Sequence, residues 1–352
     1  MPQPERTELH FINRGVPRLT KLARENGVLI YDRNVVAASK TAQALMREFP
    51  SRYAVSGGEG VKRTESFSAH VGPILRLALR VPDRRQFTLF VLGGGSVGDF
   101  GGIIAHLLWR GVRLVHIPTT LLAAVDSAHG GKAALNVGKL KNQLGAFHPA
   151  TDVFLCRELL FPAPEAGVRG ALSEVLKVAI LQGGRLLTDL RRLGAAAGEE
   201  NAFWNFLPLS IEAKMQIVRK DPTEKTDIRR LLNLGHTLAH ALELALKVPH
   251  GEAVGWGLEF SLWVSLKRGL LSARAFDDLY QIWLANFGDH VARPRGRLSE
   301  KRLSALWAGD KKTQRAGQVR MVLVKNAGQC GLYSLDLRAC LSSARELGWI
   351  SR

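Results

Sequence analysis

Residues 91–102 read VLGGGSVGDFGG, an apolar run that delivers the chain into Gly93, Gly95 and Gly98 in the spacing G-x-G-x-x-G. Glycines so placed allow a tight turn between a strand and a helix, and they let backbone N–H groups at the helix N-terminus approach a pyrophosphate. The surrounding residues keep the same strand–turn–helix rhythm. GVLIYD (27–32), RYAV, FTLFVL and RLVHIP read as strands, and VVAASKTAQALMREF, ESFSAHVGPILRLALR and GDFGGIIAHLLWRG between them carry helical patterns. That alternation predicts an α/β domain built on a parallel sheet.

The glycine turn is not placed as in an ordinary dinucleotide-binding dehydrogenase. That fold opens with its glycine turn and needs an acidic residue about 20 positions later for the ribose hydroxyls. Here two strand–helix units precede the turn, and the later region reads VHIPTTLL, without an acid. Asp32, in YDRN at the end of the first predicted strand, is an alternative ribose partner. The turn therefore reads as a nucleotide-phosphate loop in a non-standard α/β domain, with a purely structural turn as the bland alternative.

Beyond about residue 160 the strand signals fade. GALSEVLKVAILQGG, FLPLSIEAKMQIVRK, LGHTLAHALELALK and GEAVGWGLEFSLWVSLKRG place apolar residues at helical spacing, which predicts a mostly α-helical second domain. PAPEAG (162–167) reads as the linker, so the expected domains are 1–160 and 161–352. A chain of 352 residues with 46% hydrophobic content is long and apolar enough for two such cores. Cys156, Cys330 and Cys340 are odd in number and form no C-x-x-C, which argues against a disulfide framework or a thiolate zinc site. No signal-peptide pattern and no long apolar run is visible, so a cytoplasmic protein is expected, with no membrane partner. The net charge of +18 is densest in ARPRGRLSEKR (292–302). It lacks aromatic interleaving or a helix-turn-helix pattern, so it reads as a solvated basic surface rather than a nucleic-acid interface.

Chemistry-bearing residues cluster in both halves. LLNLGHTLAHALE puts His236 and His240 four apart on one helix face, PHGEAV adds His250, and LSEVLK sets Glu174 and Lys177 a turn apart. Two or three histidines with a carboxylate suit a catalytic Zn²⁺ with an open coordination position, and helix spacing alone would nominate His236 with His240. Satisfied core histidines are the competing reading. VDSAHGGKAALNVGKLKNQLGAFHP (125–149) crowds Asp126, Lys132, Lys141 and Asn142 among glycines, while Lys214, Arg229, Arg230, Lys311 and Lys312 add cations elsewhere. This is either a solvated charged loop or the means to bind a carboxylate and a phosphate together.

The ordered series GGEGVK, GGGSVGD, RGVRLVHIPTTLLAAVDSAHGGK, KNQLGAFHP, SEVLK, RRLLNLGHTLAH, HGEAV and DKK resembles the 3-dehydroquinate synthase family of the sugar-phosphate cyclase superfamily along nearly the whole chain. The resemblance implies an NAD-binding α/β domain, a helical metal-binding domain and an active site in the cleft between them. It implies Glu174, His236 and His250 as ligands for Zn²⁺ or Co²⁺, with His240 turned to substrate instead. NAD would be held by Asp32, Asn34, Glu59, Lys62, the turn Gly95, Ser96, Val97, Gly98 and Asp99, then Thr119, Thr120, Lys132 and Lys141. The implied substrate set is Asp126, Lys132, Asn142, Lys177, Lys214, Arg229, Asn233, His240 and one of Lys311 or Lys312. Arg110 would reach the phosphate from a neighbouring subunit, which implies a homodimer.

The implied reaction converts 3-deoxy-D-arabino-heptulosonate 7-phosphate to 3-dehydroquinate and phosphate, with NAD oxidising one alcohol transiently. The chain departs from the family pattern in three places: Leu140 where a glycine is usual, GGKA for GGKT, and LLFPAP after the first domain. One additional residue also precedes Arg229, so the anion clamp is Arg229 or Arg230. Sister cyclases acting on sedoheptulose 7-phosphate generally lose several of the carboxylate-gripping residues kept here. Iron-type polyol dehydrogenases normally lack the GGK…KN lysine run.

Overall fold

The computed structural model describes residues 7–138, 140–288, 298–308 and 317–350. The chain divides into two compact units, Met1–Ala163 and Pro164–Arg352.

Among the described residues the first unit contains eight strands: β1 (Glu8–Ile12), β2 (Gly27–Asp32), β3 (Arg52–Val55), β4 (Thr88–Gly93), β5 (Arg113–Pro118), β6 (Lys132–Val137), β7 (Leu140–Phe147) and β8 (Asp152–Cys156). Six of them form one sheet in the order β1-β8-β5-β4-β2-β3, with every neighbouring pair parallel. Every residue of β4 is buried, as expected for a central parallel strand covered on both faces. Leu29, Phe90, Leu92, Val115 and Ile117 join one apolar cluster there. The α/β architecture predicted from the alternation is present.

The helix Gly95–Leu107 follows β4 directly and lies close against the sheet because Gly101 has no side chain. A Cβ at Gly101 would sit 2.4 Å from Val91 Cγ2, and one at Gly102 would sit 2.7 Å from Ala133 Cβ on β6. The helix thus starts three residues earlier than GDFGG suggested. VVAASKTAQALMREF forms two helices, Arg33–Ala38 and Lys40–Arg47. Ser39 breaks them, extended at φ −123°, and its hydroxyl accepts from Ala42 N to cap the second. The charged stretch 125–149, for which a solvated loop is one of two sequence readings, contains an antiparallel hairpin, β6 with β7, outside the six-stranded sheet. Strands β1 and β8 are likewise not singled out by the sequence pattern.

The second unit is mainly helical: Glu165–Gln182, Gly184–Leu193, Glu200–Lys220, His236–Leu246, His250–Lys267, Ala273–Asn286, Glu300–Ala308 and Leu337–Glu346. The sequence reading missed its hairpin, β9 (Gln318–Asn326) with β10 (Gln329–Asp336). Helix His250–Lys267 is buried on almost every side, which suits its near-continuous apolar sequence. It passes Glu165–Gln182 at a glycine pair: a Cβ on Gly251 would lie 2.3 Å from Gly170 Cα. Among the described residues, no helix is long and apolar enough to cross a membrane.

Candidate active site

In the first unit the site residues gather around the end of β4. Gly94 precedes the helix Gly95–Leu107, whose first N–H groups have no partner within the helix and so face outward to an anion. The turn is closely approached: a Cβ on Gly95 would come within 2.9 Å of Ser127 Oγ, and one on Gly94 within 3.2 Å of Thr120 Cγ2. A small cavity beneath the turn is lined by Gly93, Gly94, Gly95, Gly98, His116 and Ser127. His116 is held neutral, its pKa pushed down to about 4 by burial. The turn is cross-tied by Ser96 Oγ, which accepts from Gly58 N at 2.9 Å. Asp32 accepts from the amides of Asn34 and Gly57 at 3.0 and 3.2 Å. The Thr119 hydroxyl is buried without a hydrogen-bond partner, and Thr120 Oγ1 accepts from Ala123 N. A glycine cradle beside a buried, unsatisfied hydroxyl fits a phosphorylated cofactor.

Beside the turn, Lys62 Nζ donates to Asp99 Oδ2 and Asn142 Oδ1, each at 2.6 Å. Burial raises the Asp99 pKa to about 6, although the Lys62 ammonium pulls it back. Asn142 was assigned to substrate by resemblance. Its Oδ1 accepts from Lys62 and its backbone N donates to Asn136 Oδ1, from a left-handed backbone at φ +54°. Lys132 and Lys141 are exposed on the hairpin, and Asp126 lies in the turn Ala123–Ser127. Arg110 follows Trp109 in two consecutive left-handed residues, φ 51° and 67°.

In the second unit three helices supply a compact donor set. Glu174, His236 and His250 bring one donor atom each to within 4.8 Å of one another. Nε2 of His236 and of His250 lie 3.8 and 3.5 Å from Glu174 Oε1. Both Glu174 oxygens are buried without hydrogen bonds, although Lys177 pairs with Oε2 electrostatically. A buried carboxylate left without hydrogen bonds beside two imidazoles is the expected preparation for a dication. Burial alone would lower the His250 pKa, but Glu174 and Glu243 outweigh it and raise the value to about 10.

His240 is not in this trio; its ring stands edge-on to His236 at 5.4 Å. The pair suggested by helix spacing is thus divided. Lys177, Lys214 and Arg229 are buried cations of this unit. Asn233 shares the turn Arg229–Asn233 with Arg229. Asp221 organises the approach to that turn, accepting from the amides of Lys225, Thr226 and Arg229. Lys311 and Lys312 lie outside the described residues.

Sequence reasoning missed two residues. Glu243 accepts from His250 Nδ1 at 2.8 Å, which leaves Nε2 facing Glu174. Its sequence signal was its place seven residues after His236, on the same helical face. Asn136, within the hairpin, had no signal at all.

The family models for 3-dehydroquinate synthase, N-terminal and C-terminal, match residues 52–169 and 171–313. A 3-dehydroquinate synthase of Shouchella clausii is 35% identical over 328 residues, covering 91% of this chain and 88% of that one. One from Geobacillus thermodenitrificans is 37% identical over 292 residues, covering 81% and 76%. Among solved structures, 2-deoxy-scyllo-inosose synthase complexed with carbaglucose-6-phosphate, NAD⁺ and Co²⁺ superposes with a TM-score of 0.81 at 22% identity, covering 96% of both chains. The 2-epi-5-epi-valiolone synthase of Streptomyces hygroscopicus, with NAD⁺ and Zn²⁺ bound, gives 0.83 at 23% identity, covering 97% and 96%. An iron-containing alcohol dehydrogenase of Thermotoga maritima gives 0.64 at 15% identity, covering 97% and 98%. At these identities the structures establish a shared fold.

Proposed function

Because the chain belongs to the 3-dehydroquinate synthase family, we propose that it converts 3-deoxy-D-arabino-heptulosonate 7-phosphate to 3-dehydroquinate and phosphate. The first unit is the NAD-binding domain and the second the metal- and substrate-binding domain. The observation that supports this most directly is the convergence of Glu174, His236 and His250, a donor set that leaves a dication open to a substrate hydroxyl. When bound, NAD⁺ supplies reversible oxidation of one substrate alcohol, and Zn²⁺ or Co²⁺ acidifies the hydroxyls it touches.

The chain's own residues bind and orient. The amides of Gly95, Ser96 and Val97 hold the cofactor pyrophosphate, and Asp32, Asn34, Glu59, Lys62, Asp99, Thr119, Thr120, Lys132 and Lys141 hold the rest of NAD. Lys214 and Arg229 grip the substrate carboxylate, with Lys177, Asn233 and His240 beside them. The buried Arg229 guanidinium is suited to that role, since its planar fork matches a carboxylate. Asp126 and Asn142 serve substrate from the first unit, with Lys132 shared between cofactor and substrate. One of Lys311 or Lys312 completes the anion contacts. The protein acts in the cytoplasm as a homodimer, with Arg110 contributing to its partner's phosphate site.

Incubation with the heptulosonate phosphate, NAD⁺ and Zn²⁺ tests the reading. Phosphate and a carbocyclic product are expected, with no net NADH, and chelation should abolish both. Turnover of sedoheptulose 7-phosphate instead would indicate a sister cyclase, and net NADH from a simple polyol a dehydrogenase. Mixing Arg110→Ala protein with a His236→Ala protein should recover some activity through hybrid dimers; no recovery after verified subunit exchange would reject the shared site.

A further inference from the structure

The hairpin residue Asn136 is buried, at 6% exposure, yet every bond described for it leads to the cofactor side of the site. Its amide Nδ2 donates to Glu59 Oε2 at 2.7 Å. Its Oδ1 accepts from Asn142 N at 2.9 Å. Its own backbone N donates to Lys62 O at 2.7 Å. Asn142 Oδ1 in turn accepts from Lys62 Nζ. The bonds close a ring through Lys62, Asn136 and Asn142, with Glu59 tethered to one side and Asp99 to the other.

We propose that Asn136 is a positioning residue that pre-sets Glu59 and Lys62 for NAD⁺, with Asn142 as the brace between Asn136 and the Lys62 ammonium. The inference rests on the reading that Glu59 and Lys62 hold the cofactor. Glu59 and Asn142 are exposed, so left alone each samples several rotamers, and ordering them would count against binding. A buried amide prevents this because it offers a donor and an acceptor at once. The donor meets the Glu59 carboxylate. The acceptor pins the amide of Asn142, whose φ of +54° is one of the few non-glycine positive values in the described chain. Asp at this position would lose the donor and set a second carboxylate against Glu59, while Leu would lose both functions. No other side chain of similar size does what asparagine does here.

The test measures NAD⁺ dissociation constants by calorimetry on the full-length protein. Asn136→Leu should weaken NAD⁺ roughly tenfold, the loss expected for hydrogen bonds to charged partners, while the KM for the sugar phosphate changes less. Asn136→Asp guards against a folding defect in the first variant. Relative to wild type at the same pH, its NAD⁺ affinity should be poorest at pH 8, where both carboxylates are ionised. It should recover toward pH 5.5, where a shared proton restores a donor. Wild-type affinity in both variants at both pH values would overturn the proposal, as would a deficit in Asn136→Asp that does not change with pH. Failure of the wild-type protein itself to bind NAD⁺ would instead overturn the functional reading on which the proposal rests.

Discussion

Arg229 and Arg230 are chain neighbours with opposite surroundings. Arg229 is 2% exposed, and its guanidinium donates to Pro222 O. Arg230 is partly exposed and pairs with Asp227 at 3.0 Å and Glu224 at 4.0 Å. The loop before them is held by Asp221, which accepts from the amides of Lys225, Thr226 and Arg229. Arg229→Ala is therefore expected to cut kcat/KM by more than a hundredfold. Arg230→Ala should stay within a few-fold and cost less than about 1 kcal/mol of stability, as exposed ion pairs do. Steady-state kinetics on the two variants distinguishes them, and equal losses would remove Arg229 from the clamp. Asp99 allows a pH prediction. The folded chain keeps its proton up to about pH 6, whereas an unfolded aspartate releases it near 4. Its contribution to stability is thus full below about pH 4 and lost as the pH rises through 6. Urea denaturation should show the difference between wild type and Asp99→Asn shifting toward the variant by up to about 3 kcal/mol from pH 4 to pH 7. A constant difference would mean that Asp99 is already ionised at pH 4.

At the scale of elements, the distance between helices Glu165–Gln182 and His250–Lys267 is set by backbone meeting backbone at Gly170 and Gly251. Glu174 and His250 belong to those two helices, one turn and one residue from the contact respectively. Gly251→Ala should therefore weaken Zn²⁺ binding at least tenfold while changing no donor atom, at a stability cost of about 1–3 kcal/mol for the overpacked crossing. Competition with a chromogenic chelator measures it, and an unchanged zinc constant would show that the helices can part without moving the donors. This scale also separates what the sequence made legible from what it did not. Strands β2 to β5 announced themselves because each is a short run of apolar residues bounded by helical pattern, and the glycine turn because its G-x-G-x-x-G spacing follows such a run directly. The β6–β7 hairpin did not, since β7 is mostly exposed along its length and a solvated ribbon carries no apolar alternation. The Glu174–His236–His250 grouping follows from the crossing of three helices, not from spacing within one. Periodicity on a single helix offers only His236 with His240; His250 and Glu174 stand among the sequence candidates, and the resemblance selects them over His240.

For the molecule as a whole, the two candidate centres are built in separate compact units, each from residues of its own unit. NAD⁺ affinity should therefore survive chelation. A dissociation constant within about threefold of the untreated protein is expected by calorimetry after metal removal, even though turnover is lost. A much larger change would show that the cofactor site depends on residues of the helical unit.

The hairpin adds a dynamic consequence. Lys132, Asn136 and Asn142 ride on a ribbon of two strands, marginal by itself and supported from the core by the packing of Ala133 and Leu135 with Ile103. A single breathing event in it would disperse all three at once, whereas β4 can open only with the sheet. Amide hydrogens of Lys132–Val137 and Leu140–Phe147 should therefore exchange with deuterium well before those of Thr88–Gly93, and saturating NAD⁺ should slow the ribbon more than the sheet.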